Sequence, residues 1–566
     1  MSTEKKAEIA SASSCIIVPS NGTTTNHNPS PLPDNPEDEA IKEQLRNMSP
    51  EEYARREKAL LWKLDKKLVP WMTILFTLSF LDRTNVGTAK LAGLTKDLHM
   101  SQYQFNIAST VFFVTYVAFE IPSNLVLKKF RPSRWIPAIV ILWAIIQVCM
   151  GLVKTYGQLL ALRLLLGLFE CGLFPGISFF LSGWYKRKEA SKRISLFFGG
   201  AVMAGAFGGI LGYGLSRMKG VGGKAGWSWI FIIEGLLTLV AGILSPWLVQ
   251  DWPDQETKFL TPLEKAMVLE RLKADTGLAS QGTFNLGVVK RAVLDWKSWL
   301  FMFAYIGVAM PIYSQSIFTP TIIASLGKWS TPQSLLLSTP PYVFAFITTM
   351  VTAYFSDKTG KRAVFLIFWS FMAVVGYILL ITIPLSHPGG LYFAVFLTIG
   401  SIAPCIATTI VFAAGNFGNH YKKAVSMGMV FSLGNAGGIV SSQVYQSKYA
   451  PRYITAHAVT LAFCALTFVC AITLYFGLRR ENARRDAQYG PVHDPDAPSP
   501  SSSTFLETGD GEGKNGVSAA PVRGKNTTWQ EDLEDREYLE RWGLTGMSKE
   551  EIIDLGDDHP GFRFMY

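Results

Sequence analysis

Apolar residues in this 566-residue chain are gathered into long runs separated by short polar stretches, not scattered at the spacing of surface helices or strands. The runs cover approximately 68–88, 105–127, 135–153, 158–182, 194–215 and 229–250, then 298–324, 334–355, 363–384, 391–415, 424–446 and 454–478. Each is close to the ~20 mostly apolar residues that a helix needs to cross the hydrocarbon layer. Backbone groups in lipid must be bonded within the protein, and runs of this length achieve that as helices. The pattern predicts an all-α membrane protein: 12 transmembrane helices in two six-helix halves, 67–250 and 298–478.

The intervals between the runs have their own signatures. Residues 251–297 are charged and contain Thr261-Pro262-Leu263-Glu264, a capping box with Pro at the first helical position, so a short polar helix is expected to about Asp275. Residues 1–66 read as a tail, disordered to about 48 on its Ser, Thr, Asn and Pro content, and 479–566 reads as a second tail. No early apolar stretch resembles a cleavable signal peptide, which leaves the first span as the expected targeting signal.

Charge then sets orientation. The chain has 53 basic and 43 acidic residues. The basic ones cluster in alternate loops: Lys128, Lys129, Arg131 and Arg134; Lys186, Arg187, Lys188, Lys192 and Arg193; Lys358 to Arg362; Lys422-Lys423; Arg479-Arg480. This asymmetry places both termini and the linker in the cytoplasm, with the plasma membrane the expected location. It argues for a lipid bilayer as partner and against nucleic acid. Asn21, Asn47 and Asn526 sit in glycosylation sequons but on the cytoplasmic side, where no glycan is expected. Five of the six cysteines fall inside apolar runs and Cys15 in the tail, without metal spacing, so no metal site, disulfide framework or cofactor is expected.

Two halves of six spans joined by a long linker resemble the major facilitator superfamily. The loop Ala353-x-x-x-Asp357-x-x-Gly360-Lys361-Arg362 is similar to that superfamily's loop signature, whereas the equivalent loop after span two has Leu127 where the acid belongs. The chain also resembles the anion:cation symporter family, especially its fungal allantoate and nicotinate permease branch. Phe80-Leu81-Asp82-Arg83-Thr84-Asn85, Phe130 to Trp135, Arg163 to Glu170, Phe174-Pro175-Gly176, Trp229-Ile230-Phe231 with Glu234-Gly235, and His559-Pro560-Gly561-Phe562-Arg563 carry that resemblance. It implies a secondary transporter, not an enzyme, taking up a small organic anion with protons as coupling ion. Nicotinate, other vitamins, ureides and small carboxylates all remain open as substrates.

Ionisable side chains at membrane depth are costly and mark functional sites. Asp82, Arg83, Arg163, Glu170 and Glu234, with Glu120 toward the cytoplasmic end of span two, all lie in the first half; the second half offers His457, which the pattern places at the interface. Arg163, Gly167 and Glu170 share one face of span four over roughly 10 Å, with Gly167 leaving space between the charges. Counting residues from the span ends makes an Asp82–Arg163 ion pair geometrically reasonable. Arg83 and Arg163 are candidates to grip a substrate carboxylate bidentately. A carboxyl desolvated between apolar helices holds its proton more tightly, which suits Asp82 and Glu170 to proton coupling. The resemblance implies the same roles for these four residues.

Glu120 and Glu234, near span ends, read as gating or structural, as do Asp357, Gly360 and Arg362 in the signature loop. Pro311 loosens span seven beside Tyr313 and Gln315, which with Asn435 in span eleven are candidates either for substrate contact or for helix packing. Gly205, Gly208, Gly209 and Gly212 in span five, and Gly434, Gly437 and Gly438 in span eleven, read as close-packing faces. Two rival functions stay open: a proton-driven exporter of an acidic metabolite, and a nutrient sensor that transports nothing.

Overall fold

The structure is a computed structural model describing residues 40–41, 43–45, 47–255, 259–276, 286–327, 329–418, 420–489, 542–547, 555–558 and 562–566. The disorder expected for residues 1–48 falls almost wholly outside this range, as do Cys15, Asn21, Asn526 and His559 to Gly561. All regular structure among the described residues is helical. Spans two to six are Gln102–Lys129, Pro132–Met150, Tyr156–Ser182, Arg187–Ser216 and Gly226–Leu248. Spans seven to twelve are Trp296–Leu326, Thr331–Thr359, Arg362–Thr382, Pro388–Gly415, Tyr421–Val444 and Ile454–Tyr489. These eleven are long and apolar enough to cross a membrane. Span one, Pro50–Leu91, completes the set; Asp82, Arg83 and Asn85 lower the hydropathy of its membrane part.

Local chemistry marks the starts and stops. Ser101 and Gln104 form a reciprocal capping box at span two, and Ser330 and Gln333 repeat it at span eight. Span eight ends on Gly360 at φ 69°, a left-handed position that glycine adopts without a Cβ clash. On span six, Leu236, Val240, Ile243 and Trp247 recur every three or four residues on one exposed face, as a lipid-facing stripe requires. The buried faces interlock through aromatic rings: Phe76 of span one stacks on Phe197 of span five at 4.2 Å and on Phe174 of span four at 5.3 Å.

The glycine faces pack as expected. A Cβ on Gly208 would meet Thr84 of span one, and one on Gly209 would meet Leu335 and Thr339 of span eight. Span five is therefore wedged between the halves. Hydrogen bonds that cross the halves include Thr110–Gln443 (2.7 Å), Thr339 to the Ala206 carbonyl (3.1 Å) and Glu120–Asn435 (3.0 Å). The first two lie on the side away from the linker and the third lies deeper.

Two expectations need correction. Residues 50–66 are not tail: span one begins at Pro50, capped by Ser49, and its polar first turns hold the linker. Arg271 of the linker helix Pro262–Thr276 bridges Glu57 (2.7 Å) and Glu189 (2.6 Å), and Lys63 meets Glu264 at 2.7 Å. Composition marked this stretch as soluble but could not show that its charges have fixed partners some 200 residues away. The second tail likewise starts as helix, because span twelve continues to Tyr489.

Candidate functional site

Span one turns Ser79 and Arg83, one helical turn apart, toward span four. Both grip the same oxygen: Ser79 Oγ donates to Glu170 Oε1 at 2.7 Å and Arg83 Nε donates to it at 2.6 Å. Glu170 is completely buried. Its Oε2, like Arg83 Nη2, has no hydrogen-bond partner. The Arg83 guanidinium sits in an aromatic box, 4.8 Å from the Tyr116 ring, 5.0 Å from Phe80 and 5.9 Å from both Phe112 and Tyr313. Aromatic faces stabilise a cation without neutralising it, so the box leaves its charge available to a ligand.

Arg163 is buried 5.5 Å above the Phe112 ring and, among the described residues, makes no hydrogen bond or ion pair; Nε is among the buried atoms without a partner. The expected Asp82–Arg163 pair is therefore absent, and span four instead pairs Glu170 with Arg83. Trp143 of span three takes Asp82, donating from Nε1 to Oδ2 at 2.8 Å, with Asn85 Nδ2 at 3.4 Å from Oδ1. Glu170 and Asp82 remain the electrostatic neighbours of Arg163. Gly167 does not leave open space, because Phe112 and Thr115 of span two press against it.

Glu120 and Glu234 sit deeper than their sequence positions suggested. Glu120 Oε2 accepts from Asn435 Nδ2 at 3.0 Å, and Asn435 Oδ1 accepts from Tyr313 Oη at 2.7 Å, a chain that crosses from the first half to the second. Glu234 is fully buried, with Asp82 as its charged neighbour and the Asn85 side chain beside it. Gln147, one turn from Trp143 on span three, is equally buried and unpartnered.

Gln315 Nε2 reaches Tyr377 Oη at 3.3 Å and lines a narrow cleft between the halves with Phe80, Thr84, Ser316 and Tyr342. Phe80 borders both this cleft and the Arg83 box. Asp357, Gly360 and Arg362 lie elsewhere, at the linker-side loop, where Arg362 stands 4.0 Å from Asp357 and donates to the Val411 carbonyl at 2.9 Å. His457, in the first turn of span twelve, is buried with Nδ1 at 3.2 Å from Tyr445 Oη. Sequence reading missed Ser79, Trp143, Asn85, Gln147 and Tyr116. Trp143 and Gln147 share an i, i+4 face, but a Trp within an apolar run carries no mark that separates a carboxylate's donor from a packing residue.

Two bundles of membrane spans around buried charge, with a cleft between them, define a membrane transporter and not an enzyme. The family profile described as Major Facilitator Superfamily matches residues 72–442, and the chain belongs to that family. The high-affinity nicotinic acid transporter of Saccharomyces cerevisiae is 32% identical over 436 residues, covering 76% of this chain and 80% of that one. The MFS-type transporter cnsO of Penicillium expansum is 35% identical, covering 76% and 85%, and the major facilitator-type transporter hxnP of Emericella nidulans 31%, covering 77% and 88%. Among solved structures, a bacterial homologue of the human lysosomal transporter Spinster superposes with a TM-score of 0.54 at 16% identity, covering 72% of this chain and 97% of that one. That likeness shows the fold.

Proposed function

We propose that the protein takes up a small organic monoanion, nicotinate-like or another small carboxylate, together with protons across the plasma membrane, with both termini in the cytoplasm. The observation that carries this reading is Arg163, a buried guanidinium without a hydrogen bond or ion pair, next to an Arg83–Glu170 pair with one unused donor and one unused acceptor. A buried charge without a partner is strongly unfavourable, so such a site favours a ligand that supplies the missing acceptors. A carboxylate does so with both oxygens. The likeness to a nicotinic acid transporter supports the class of anion.

Asp82 and Glu170 are the proton carriers in this reading. Binding of the anion draws on Arg83 and Arg163, and a proton on Glu170 releases Arg83 from its pair. Proton and anion then favour each other's binding, which is the coupling a symporter needs. Each unit of pH gradient contributes about 1.4 kcal/mol per proton, and each net positive charge moved inward gains roughly 2.3 kcal/mol per 100 mV. The test is reconstitution into vesicles with labelled nicotinate and other labelled carboxylates. Accumulation without chemical change, driven by an inward proton gradient and abolished by a protonophore, is expected. Uptake that ignores the gradient would end the coupling reading, and efflux driven by proton exchange would reverse its direction.

A further inference from the structure

Residues 556–558 and 562–566 fold back onto the linker-side ends of four spans, and their grip is specific. Asp557 is completely buried. Its Oδ2 accepts from Lys297 Nζ at 2.6 Å and from Lys422 Nζ at 2.9 Å. Lys297 belongs to the first turn of span seven and Lys422 to the first turn of span eleven, and Asp295 closes the cluster 2.9 Å from Lys422. Arg485, on the extension of span twelve, donates to the carbonyls of Asp557 (3.1 Å) and Phe562 (3.0 Å). One turn earlier, Asn482 Nδ2 donates to the Phe564 carbonyl at 2.9 Å and its Oδ1 accepts the Phe564 N–H at 3.0 Å. Asn416, following span ten, accepts the Met565 N–H at 2.9 Å.

Phe564 is buried beneath two cations, Lys297 Nζ at 4.2 Å from its ring and the Arg485 guanidinium at 4.7 Å. Spans seven and eleven hold the carboxylate, spans seven and twelve the ring, and span twelve with Asn416 the main chain. Three of the four helices share a weakness. Span seven contains Pro311 and Pro320, span ten contains Pro404, and span eleven is interrupted at Ala436. Each break removes backbone hydrogen bonds that would tie the linker-side part of the helix to the rest. All the tail's partners named here belong to the second half.

We propose that the linker-side face of the second half is a receptor for the chain's own residues 556–558 and 562–566, and that the docked residues clamp spans seven, ten, eleven and twelve into one body. The clamp makes the three interrupted helices and span twelve move together when the halves rock, an element that rests on the transport reading above; the docking itself does not.

The experiment uses the full chain in lipid nanodiscs, comparing wild type with Asp557→Lys and Asn482→Leu. Hydrogen exchange is read at the Phe564 and Met565 amides and over the linker-side turns of spans seven and eleven, and initial rates of labelled nicotinate transport are measured. Each single substitution is expected to speed exchange about tenfold or more at the tail and also at the span ends, as a local opening does. Maximal rate should fall several-fold with KM little changed. Tail amides that stay protected in both single variants overturn the docking. Released tails with unchanged span ends overturn the clamp. Absence of transport in wild type would count against the transport reading alone, since exchange judges the clamp without it.

Discussion

The two halves divide the chemistry unequally. The first buries Asp82, Arg83, Glu120, Arg163, Glu170 and Glu234; the second faces them with Tyr313, Gln315, Tyr377 and Asn435, polar but uncharged. A hydroxyl or amide in the membrane interior costs far less to bury than an ion, and it can exchange partners without leaving a bare charge. The second half can therefore separate from the first at modest cost: the Glu120–Asn435–Tyr313 chain is the polar link it must break at this depth. On the proposed reading, the difference places coupling and the grip on the carboxylate in one body and contacts to the rest of the substrate in the other. Substitutions should sort accordingly.

The sharpest break in that division is Arg163→Ala. It removes a guanidinium whose substrate hydrogen bonds, as charge-assisted contacts, are worth about 1.5–3 kcal/mol each, so uptake should fall by about two orders of magnitude or more. Arg163→Lys should recover only part, because a point charge does not replace the planar fork. Vesicle uptake with surface expression measured in parallel checks both. Unchanged substrate affinity in the Ala variant would make Arg163 a packing residue.

Neutralising the carboxyls tests coupling separately from binding. Glu170→Gln and Asp82→Asn should keep exchange of labelled for unlabelled substrate while losing accumulation against a gradient. If both variants concentrate substrate as wild type does, the protons are carried elsewhere, and Glu234, buried beside Asp82, becomes the next residue to replace with Gln.

On the opposite body, Tyr313→Phe removes one hydroxyl from the Glu120–Asn435 chain and should cost about 0.5–1.5 kcal/mol, which is a change of about tenfold or less in KM. Proton coupling, read as the dependence of accumulation on the pH gradient, should be intact. A coupling defect in this variant would blur the division between the halves.

How far the sequence anticipated this arrangement depended on the kind of signal. Apolar runs and basic loops are long-period features, and the capping box Thr261–Glu264 marks the start of the linker helix Pro262–Thr276. The concentration of charge in the first half was equally legible. Partner choice was not. Asp82 and Arg163 sit at similar depth by counting, yet rotation about the helix axes hands Asp82 to Trp143 and leaves Arg163 without a hydrogen bond, and residue counting carries no rotation. The linker and tail contacts failed for a related reason: Glu57 with Arg271, and Lys297 with Asp557, are more than 200 positions apart.

The smallest expected effect sharpens the same contrast through pH. Burial alone would push the Asp557 carboxyl up, but Lys297 and Lys422 hold it below its ordinary value of 3.8. A carboxyl depressed by docking adds stability above its free value and loses it only as pH falls through the lower docked one. Above about pH 5 Asp557 keeps its charge on docking, so tail protection should be flat from there to about pH 9. On the proposed coupling through Asp82 and Glu170, uptake should change steeply over the same window. Exchange rates at Phe564 and Met565, corrected for the intrinsic pH dependence of amide exchange, should differ little between pH 5.5 and 8.5. Tail protection that instead fell with the uptake rate would show that the docked segment responds to the proton-carrying half, and the two bodies would no longer be chemically separate.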